Sequence, residues 1–288
     1  MESEAPGRGA APAEVVEARA VLRPVAPTVG GGPVVEPPGL AGLSRRDAAL
    51  DLGLVLLVLL LLPLGLDLLN LVSLAGVGAS TPDSTALTRQ LLINRKVCDA
   101  LLAATLMYYF VRRHRISAAV FGLHGRALLR QVLLAVPILL ATYATFLVSV
   151  VVTVLLVSGG HDLRREVEAR REFMEMMPLG DLWSGMALMA PVAIHEEVLF
   201  RGLMLPYLRR IGCSWTWAVL LSSVLFAALH LAQGWLGVVQ LLPVGIVLAV
   251  AFIRTGSLTA VVLAHFAFNV LQLQLARLVL PLAERIGS

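Results

Sequence analysis

The sequence is short of charge. Asp, Glu, Lys and Arg make up 15% of its 288 residues, hydrophobic residues 58%, and the mean hydropathy is +0.84. A soluble domain carries about 25% charged residues, and here the apolar excess falls in blocks that reach the roughly 20 residues needed to cross a bilayer as a helix. These properties exclude an ordinary soluble domain. Alternation of apolar and polar residues over ten-residue segments is also missing, which excludes a transmembrane β-barrel. The two cysteines, Cys98 and Cys213, have no metal-type spacing and support no disulfide framework; both read as packing residues at or near helix ends. No repeat unit is visible. The net charge of +4 comes from arginines at the ends of apolar segments, where orientation and headgroup contact account for them, so no nucleic-acid partner is expected.

What remains is an all-α, polytopic transmembrane bundle of about seven to eight helices with a disordered N-terminal tail. Residues 1–44 are rich in Pro, Ala, Gly and Val; the run Gly30-Gly31-Gly32-Pro33 and the pair Pro37-Pro38 forbid helix, and the order of a signal peptide is lacking. A disordered cytoplasmic tail is expected there. Residues 45–178 hold the first spans, at 50–72, 97–111 and 128–157, with a small polar loop at 73–95. The third is longer than a bilayer requires, which implies tilt or emergence. Residues 161–177 place acids and bases three and four apart and suit a charged helix on the membrane surface or in a solvated loop.

The remaining unit, 179–288, carries four spans: Leu182 to Tyr207, 214–231, 236–253 and 258–281. Seven spans with an inside N-terminus place Arg112, Arg113, Arg115, Arg126, Arg130, Arg209, Arg210 and Arg254 on the cytoplasmic side, consistent with the positive-inside rule. The Ala-, Leu- and Arg-rich composition is that of a GC-rich bacterial genome, so the expected location is a bacterial inner membrane.

Few strongly polar residues interrupt these four spans: Glu196, Glu197 and Arg201 on the first, His230 on the second, His265 and Asn269 on the last. A charge at bilayer depth costs several kcal/mol and marks function by default. Residues four apart share a helix face. Glu197 and Arg201 therefore pair along one helix and leave Glu196, about 100° round the helix, to point elsewhere. His265 and Asn269 face one cavity, and Phe226 gives His230 an aromatic shoulder. Such a set suits water activation: a glutamate base raised in basicity by desolvation, imidazoles to hold a metal or donate protons, and an amide for a developing oxyanion. The same residues also suit interhelical hydrogen bonds that fix bundle register.

Depth opposes the assembly at first sight. At 1.5 Å per residue, Glu196 lies roughly 18 Å from the cytoplasmic end of its helix, His230 roughly 24 Å and His265 roughly 11 Å. Tilt, or a helix that begins later than Ser214, must bring them level.

Glu196-Glu197-x-x-x-Arg201, Phe226-x-x-x-His230 and His265-x-x-x-Asn269 resemble, in order, the three motifs of the CAAX protease and bacteriocin-processing (CPBP, or Abi) intramembrane peptidases, over residues 180–272. The resemblance implies an intramembrane endopeptidase that cleaves a membrane-associated protein or peptide. Glu196 would activate the attacking water, Glu197 and Arg201 would support it, His230 and His265 would contact water or metal, and Asn269 would serve the oxyanion. Two histidines, with Glu196 acting through water, suit a divalent metal such as zinc as well as a metal-free glutamate mechanism. Membrane lipid and the membrane-associated substrate are the implied partners. His195 lies outside the pattern. Beside Glu196 it invites a zinc-protease reading, but position 199 is Leu and the second histidine of H-E-x-x-H is missing; a packing or supporting role is expected.

Two other classes stand beside the peptidase. A non-enzymatic scaffold or bacteriocin self-immunity protein would use the cluster as interhelical glue. A proton-coupled transporter would show repeated halves and broken helices, and neither is evident. Serine and aspartyl intramembrane peptidases lack their nucleophile segment or paired aspartates here.

Overall fold

The computed structural model describes residues 40–60, 84–124, 128–157 and 181–287. The regular elements among these residues are all helices, with no strand. Helix α1 covers 45–60, α2 Ser84–His114, α3 Leu128–Val157, α4 Leu182–Glu197, α5 Leu205–Ile211, α6 Trp215–Ala228, α7 Trp235–Thr255 and α8 Leu258–Gly287. A π-helical segment, Val198–Met204, joins α4 to α5.

Helix α4 is the centre of the arrangement: α2 packs along one side of it and α8 along another, while α3 packs on α7 and α8, and α6 on α7. The most polar of the C-terminal segments is thus the innermost, and every residue from Val198 to Met204 is buried. The apolar excess faces outward. Leu129, Leu133, Leu140, Val148 and Leu155 of α3 are all more than half exposed, an inversion that suits lipid rather than water. Three of the described helices are long and apolar enough to cross a membrane, at Leu128–Leu155, Trp235–Thr255 and Leu258–Arg277.

The expected spans need revision in several places. The third matches Leu128–Val157 and the sixth and seventh lie within α7 and α8. The second is part of a longer helix that begins at Ser84, so the loop expected at 73–95 is helical from that residue. This also places Cys98 well inside α2, where it is exposed rather than packed; Cys213 follows α5 and is half-buried. The fifth span is too long: α6 has 14 residues and ends at Ala228, and a short 3-10 turn, Leu231–Gln233, leads to Gly234. The first is helical over 45–60; its remainder, the stretch 161–177 and most of the tail lie outside the described residues.

The π segment has a cause in the sequence. Pro206 lacks an N–H, and its ring in an α-helix would press on the carbonyl of Gly202, four residues back. Widening the turn relieves this, and the Leu205 N–H bonds the Phe200 carbonyl five residues back. At the far end of α4, Asp181 caps the helix, accepting from the Ser184 hydroxyl and amide at 2.6 and 2.8 Å. These bonds hold the Asp181 carboxyl below its ordinary range.

The turn between α7 and α8 docks deep in the fold. Gly256 closes α7 with φ +64° and donates to the Phe252 carbonyl at 2.8 Å. Its own carbonyl accepts from His124 Nε2 at 2.8 Å, and the Leu258 N–H donates to the Gly122 carbonyl at 2.9 Å. The Ser257 hydroxyl bonds Gln131 of α3. Leu258 reaches Gly202, where a β-carbon would stand 3.2 Å from its Cδ2. Helix α8 therefore starts at the level of the π segment.

Gly122 makes this docking possible. Its φ is +80°, and a β-carbon there would stand 2.7 Å from both the Leu258 amide nitrogen and Phe252 Cε2. Gly122→Ala should cost about 1–3 kcal/mol from the left-handed backbone alone, lowering the thermal unfolding midpoint of the detergent-purified protein by several degrees. An unchanged midpoint would show that the α7–α8 turn does not depend on this contact.

Candidate active site

The depth mismatch among the polar residues is resolved by where two helices begin and end. His230 follows the Gly212 turn by about as many residues as Glu196 precedes it, roughly 24–27 Å of chain in helical rise. From Leu258, level with Gly202, to His265 is roughly 11 Å, and from Gly202 back to Glu196 roughly 9 Å. The deep start of α8 does the levelling. Helix α6 starts at Trp215, directly after its cap Ser214, so a late start of that helix plays no part.

Glu197 and Arg201 are both fully buried, and Arg201 Nη1 donates to Glu197 Oε1 at 2.8 Å. The same oxygen accepts from His265 Nδ1 at 2.6 Å. Arg201 Nη2 donates to the Gly245 carbonyl of α7 at 3.0 Å, and the guanidinium lies 4.5 Å from the ring centre of Phe226. One ion pair thus connects four elements: α4, the π segment, α7 and α8. Gly245 approaches because it has no side chain; a β-carbon there would stand 3.1 Å from Phe226 Cδ1.

Glu196 stands apart from this pair. Its Oε2 is buried without a hydrogen-bond partner among the described residues, 3.7 Å from His265 Nε2. His230 sits just past the end of α6, and its Nδ1 donates to the Phe226 carbonyl at 2.8 Å. Its ring packs against Phe226 with centres 4.9 Å apart, and Phe226 meets His265 edge to face at 5.8 Å. Phe226 is therefore more than a shoulder for His230, since it touches Arg201, His230 and His265 together. Asn269 is half-buried one helical turn beyond His265, and its side chain has no hydrogen bond among the described residues. His195 is buried at 8% exposure.

The six expected site residues therefore lie on α4, the π segment, the end of α6 and one face of α8. The sequence reading missed the partners that fix them. It paired Glu197 with Arg201 alone, whereas His265 shares the same oxygen. A backbone carbonyl such as that of Gly245 leaves no mark in a sequence.

Each histidine spends Nδ1–H on a fixed acceptor, a carboxylate for His265 and a carbonyl for His230, which leaves Nε2 of each as the free nitrogen. That is how metal-ligating histidines are oriented. Among the described residues, however, no three His, Cys, Asp or Glu side chains stand where they could hold one metal ion together. The residues do not close a metal site, and no step below passes through a metal.

Residues 178–271 match the family model described as type II CAAX prenyl endopeptidase Rce1-like. The resemblance read from the three motifs stands for this stretch, which contains them all. An Escherichia coli protein described as an uncharacterized 24.3 kDa protein is 40% identical over 82 residues, 28% of this chain and 38% of its own length. The chain thus spans well under half the length of that relative. No solved structure matches the chain.

Removing one member of a buried ion pair strands the other. Arg201→Met should destabilise the protein by about 3–5 kcal/mol, read as a fall in the detergent unfolding midpoint. Arg201→Lys should recover little, because an ammonium lacks the planar fork that reaches Glu197 and the Gly245 carbonyl at once. Full recovery by lysine would mean that charge alone matters there.

Proposed function

We propose that the protein is an intramembrane endopeptidase of the CAAX type, in which Glu196 activates water against a peptide bond of a membrane-associated protein or peptide. The observation that carries this reading is the buried, unpartnered Glu196 Oε2 beside a set of imidazoles whose other nitrogens are already committed. The match of residues 178–271 to the CAAX prenyl endopeptidases supports it.

In this mechanism Glu196 takes a proton from water as the oxygen attacks the scissile carbonyl. The Asn269 amide steadies the negative oxygen that forms. Glu196 then returns the proton to the departing amine as the C–N bond breaks, leaving a new carboxylic acid and a free amine. Glu197 takes no part in the proton transfer; bonded by Arg201 Nη1 and His265 Nδ1, it orients the His265 ring. The site is reached within a bacterial inner membrane, with the N-terminus and the arginine-rich helix ends on the cytoplasmic side.

In a second reading, favoured by the Nδ1 anchoring of both histidines, His230 and His265 would supply two nitrogens to a divalent metal such as zinc, which would add Lewis acidity; a third protein ligand is not found among the described residues. Metal analysis of the purified protein separates the two. Substoichiometric metal and cleavage that survives chelation are expected; one metal per chain, lost in His230→Ala with His265→Ala, would establish the second reading.

Glu196→Gln should lower cleavage of a membrane-anchored peptide in proteoliposomes by about 10²–10⁴-fold, the usual weight of a general base. Cleavage by the folded variant at the wild-type rate would end the proposal.

A further inference from the structure

Helix α7 carries none of the three motifs, yet its main chain enters the site. Arg201 has two hydrogen bonds among the described residues: Nη1 donates to Glu197 Oε1 at 2.8 Å and Nη2 to the Gly245 carbonyl at 3.0 Å. Its Nε is buried without a partner among them. Glu197 is held in turn at a single oxygen. Oε1 accepts from both Arg201 Nη1 and His265 Nδ1, while Oε2 is buried without a partner among the described residues. The guanidinium therefore places the carboxylate, and beyond that carboxylate its polar support among these residues is the Gly245 carbonyl.

Gly245 lies in the interior of α7, where glycine is a poorer helix former than alanine. Packing explains its presence. A β-carbon at this position would stand 3.1 Å from Phe226 Cδ1, 3.3 Å from Ser223 Cβ and 3.4 Å from Ser223 Cα, all on α6. Contacts that short would displace either α7 or the Phe226 ring. Both displacements reach Arg201, because its guanidinium rests on the Gly245 carbonyl and also lies 4.5 Å from the centre of that ring. Ala249, one turn further along the same face of α7, is small and fully buried. This face of the helix thus brings main chain, instead of a side chain, up to the guanidinium.

We propose that Gly245 is a positioning residue for the reaction. Its carbonyl fixes Arg201, Arg201 fixes Glu197, and Glu197 fixes the His265 ring with Nε2 turned to Glu196, 3.7 Å from Oε2. The aim of His265 at the general base then originates on a helix that the three motifs do not reach. A helical carbonyl suits this task because it neither titrates nor rotates. The inference rests on the peptidase reading for its kinetic consequence, but the coupling of Gly245 to the His265 ring is a structural claim in its own right.

The test uses the full-length protein. Replacing Ile246 by its α-hydroxy acid turns the peptide bond after Gly245 into an ester, which weakens that carbonyl as an acceptor without adding bulk. In proteoliposomes this variant should lower kcat for a membrane-anchored peptide by about tenfold with KM nearly unchanged, since small misplacement of a catalytic group is costly. The same replacement at Val247 costs α7 equivalent main-chain bonds but spares the Gly245 carbonyl, and should keep kcat near wild type. Gly245→Ala should lower kcat per folded molecule at least as far as the Ile246 ester. A purely structural Gly245 would instead change the amount of folded protein and leave that kcat untouched. In detergent, ¹⁵N-labelled histidine spectra should show the His265 ring signals, identified by their loss in His265→Gln, moving in Gly245→Ala and in the Ile246 ester. An unchanged kcat in the Ile246 ester, an equal loss in the Val247 ester, or unmoved ring signals would each overturn the proposal. Should Gly245→Ala not fold, the two esters and the ring signals of the first decide by themselves. If the wild-type protein does not cleave at all, the peptidase reading fails, and the ring signals still decide the coupling.

Discussion

The structure depends on one buried ion pair. Glu197 and Arg201 are inaccessible to solvent, sit on consecutive turns of the innermost helix, and neutralise each other where neither charge would be tolerated alone. Their remaining bonds reach outward, from Arg201 to the Gly245 carbonyl of α7 and from Glu197 to His265 of α8. Removing either charge would free three helices from their common reference. The pair also divides the two acids of the motif, since once Glu197 is satisfied Glu196 holds the charge without a fixed partner.

That division needs helices of unequal length and depth. Helix α6 stops after 14 residues, so His230 lies at its end rather than on its side, free to give Nδ1–H to the Phe226 carbonyl. Helix α8 enters the bundle at the level of Gly202 because the α7–α8 turn docks under Gly122 and His124. Between them the π segment carries Arg201 past Pro206 without breaking the helix. Each of these departures from a regular span acts on the position of a polar side chain. The outer face of α3 from Leu133 to Leu155, by contrast, is apolar, as a lipid-facing helix requires.

Much of this was legible in the sequence. The helical class followed from the apolar blocks, and the Glu197–Arg201 pair from a four-residue spacing that survives the π segment. That Glu196 and His265 would approach each other followed from the cost of polar side chains in lipid. What escaped has physical reasons. Hydropathy does not separate a 14-residue helix followed by a 3-10 turn from a full span, because Leu229 and Leu231 continue the apolar run past Ala228. The start of α2 at Ser84 escaped because the polar residues of its first turns read as loop. The depth of α8 depends on tertiary contacts at Gly122 and Gly202 that no local pattern encodes, and the acceptor for Arg201 is a main-chain carbonyl.

The central claim is that the two adjacent acids have different work, one structural and one chemical. The thermal unfolding midpoint of Glu196→Gln measured beside that of Glu197→Gln tests it most directly. The account predicts that Glu196→Gln leaves the midpoint unchanged or raises it, since a buried charge without a fixed partner is removed, while Glu197→Gln lowers it by stranding Arg201. The reverse order, with Glu196→Gln the more damaging to stability, would contradict it.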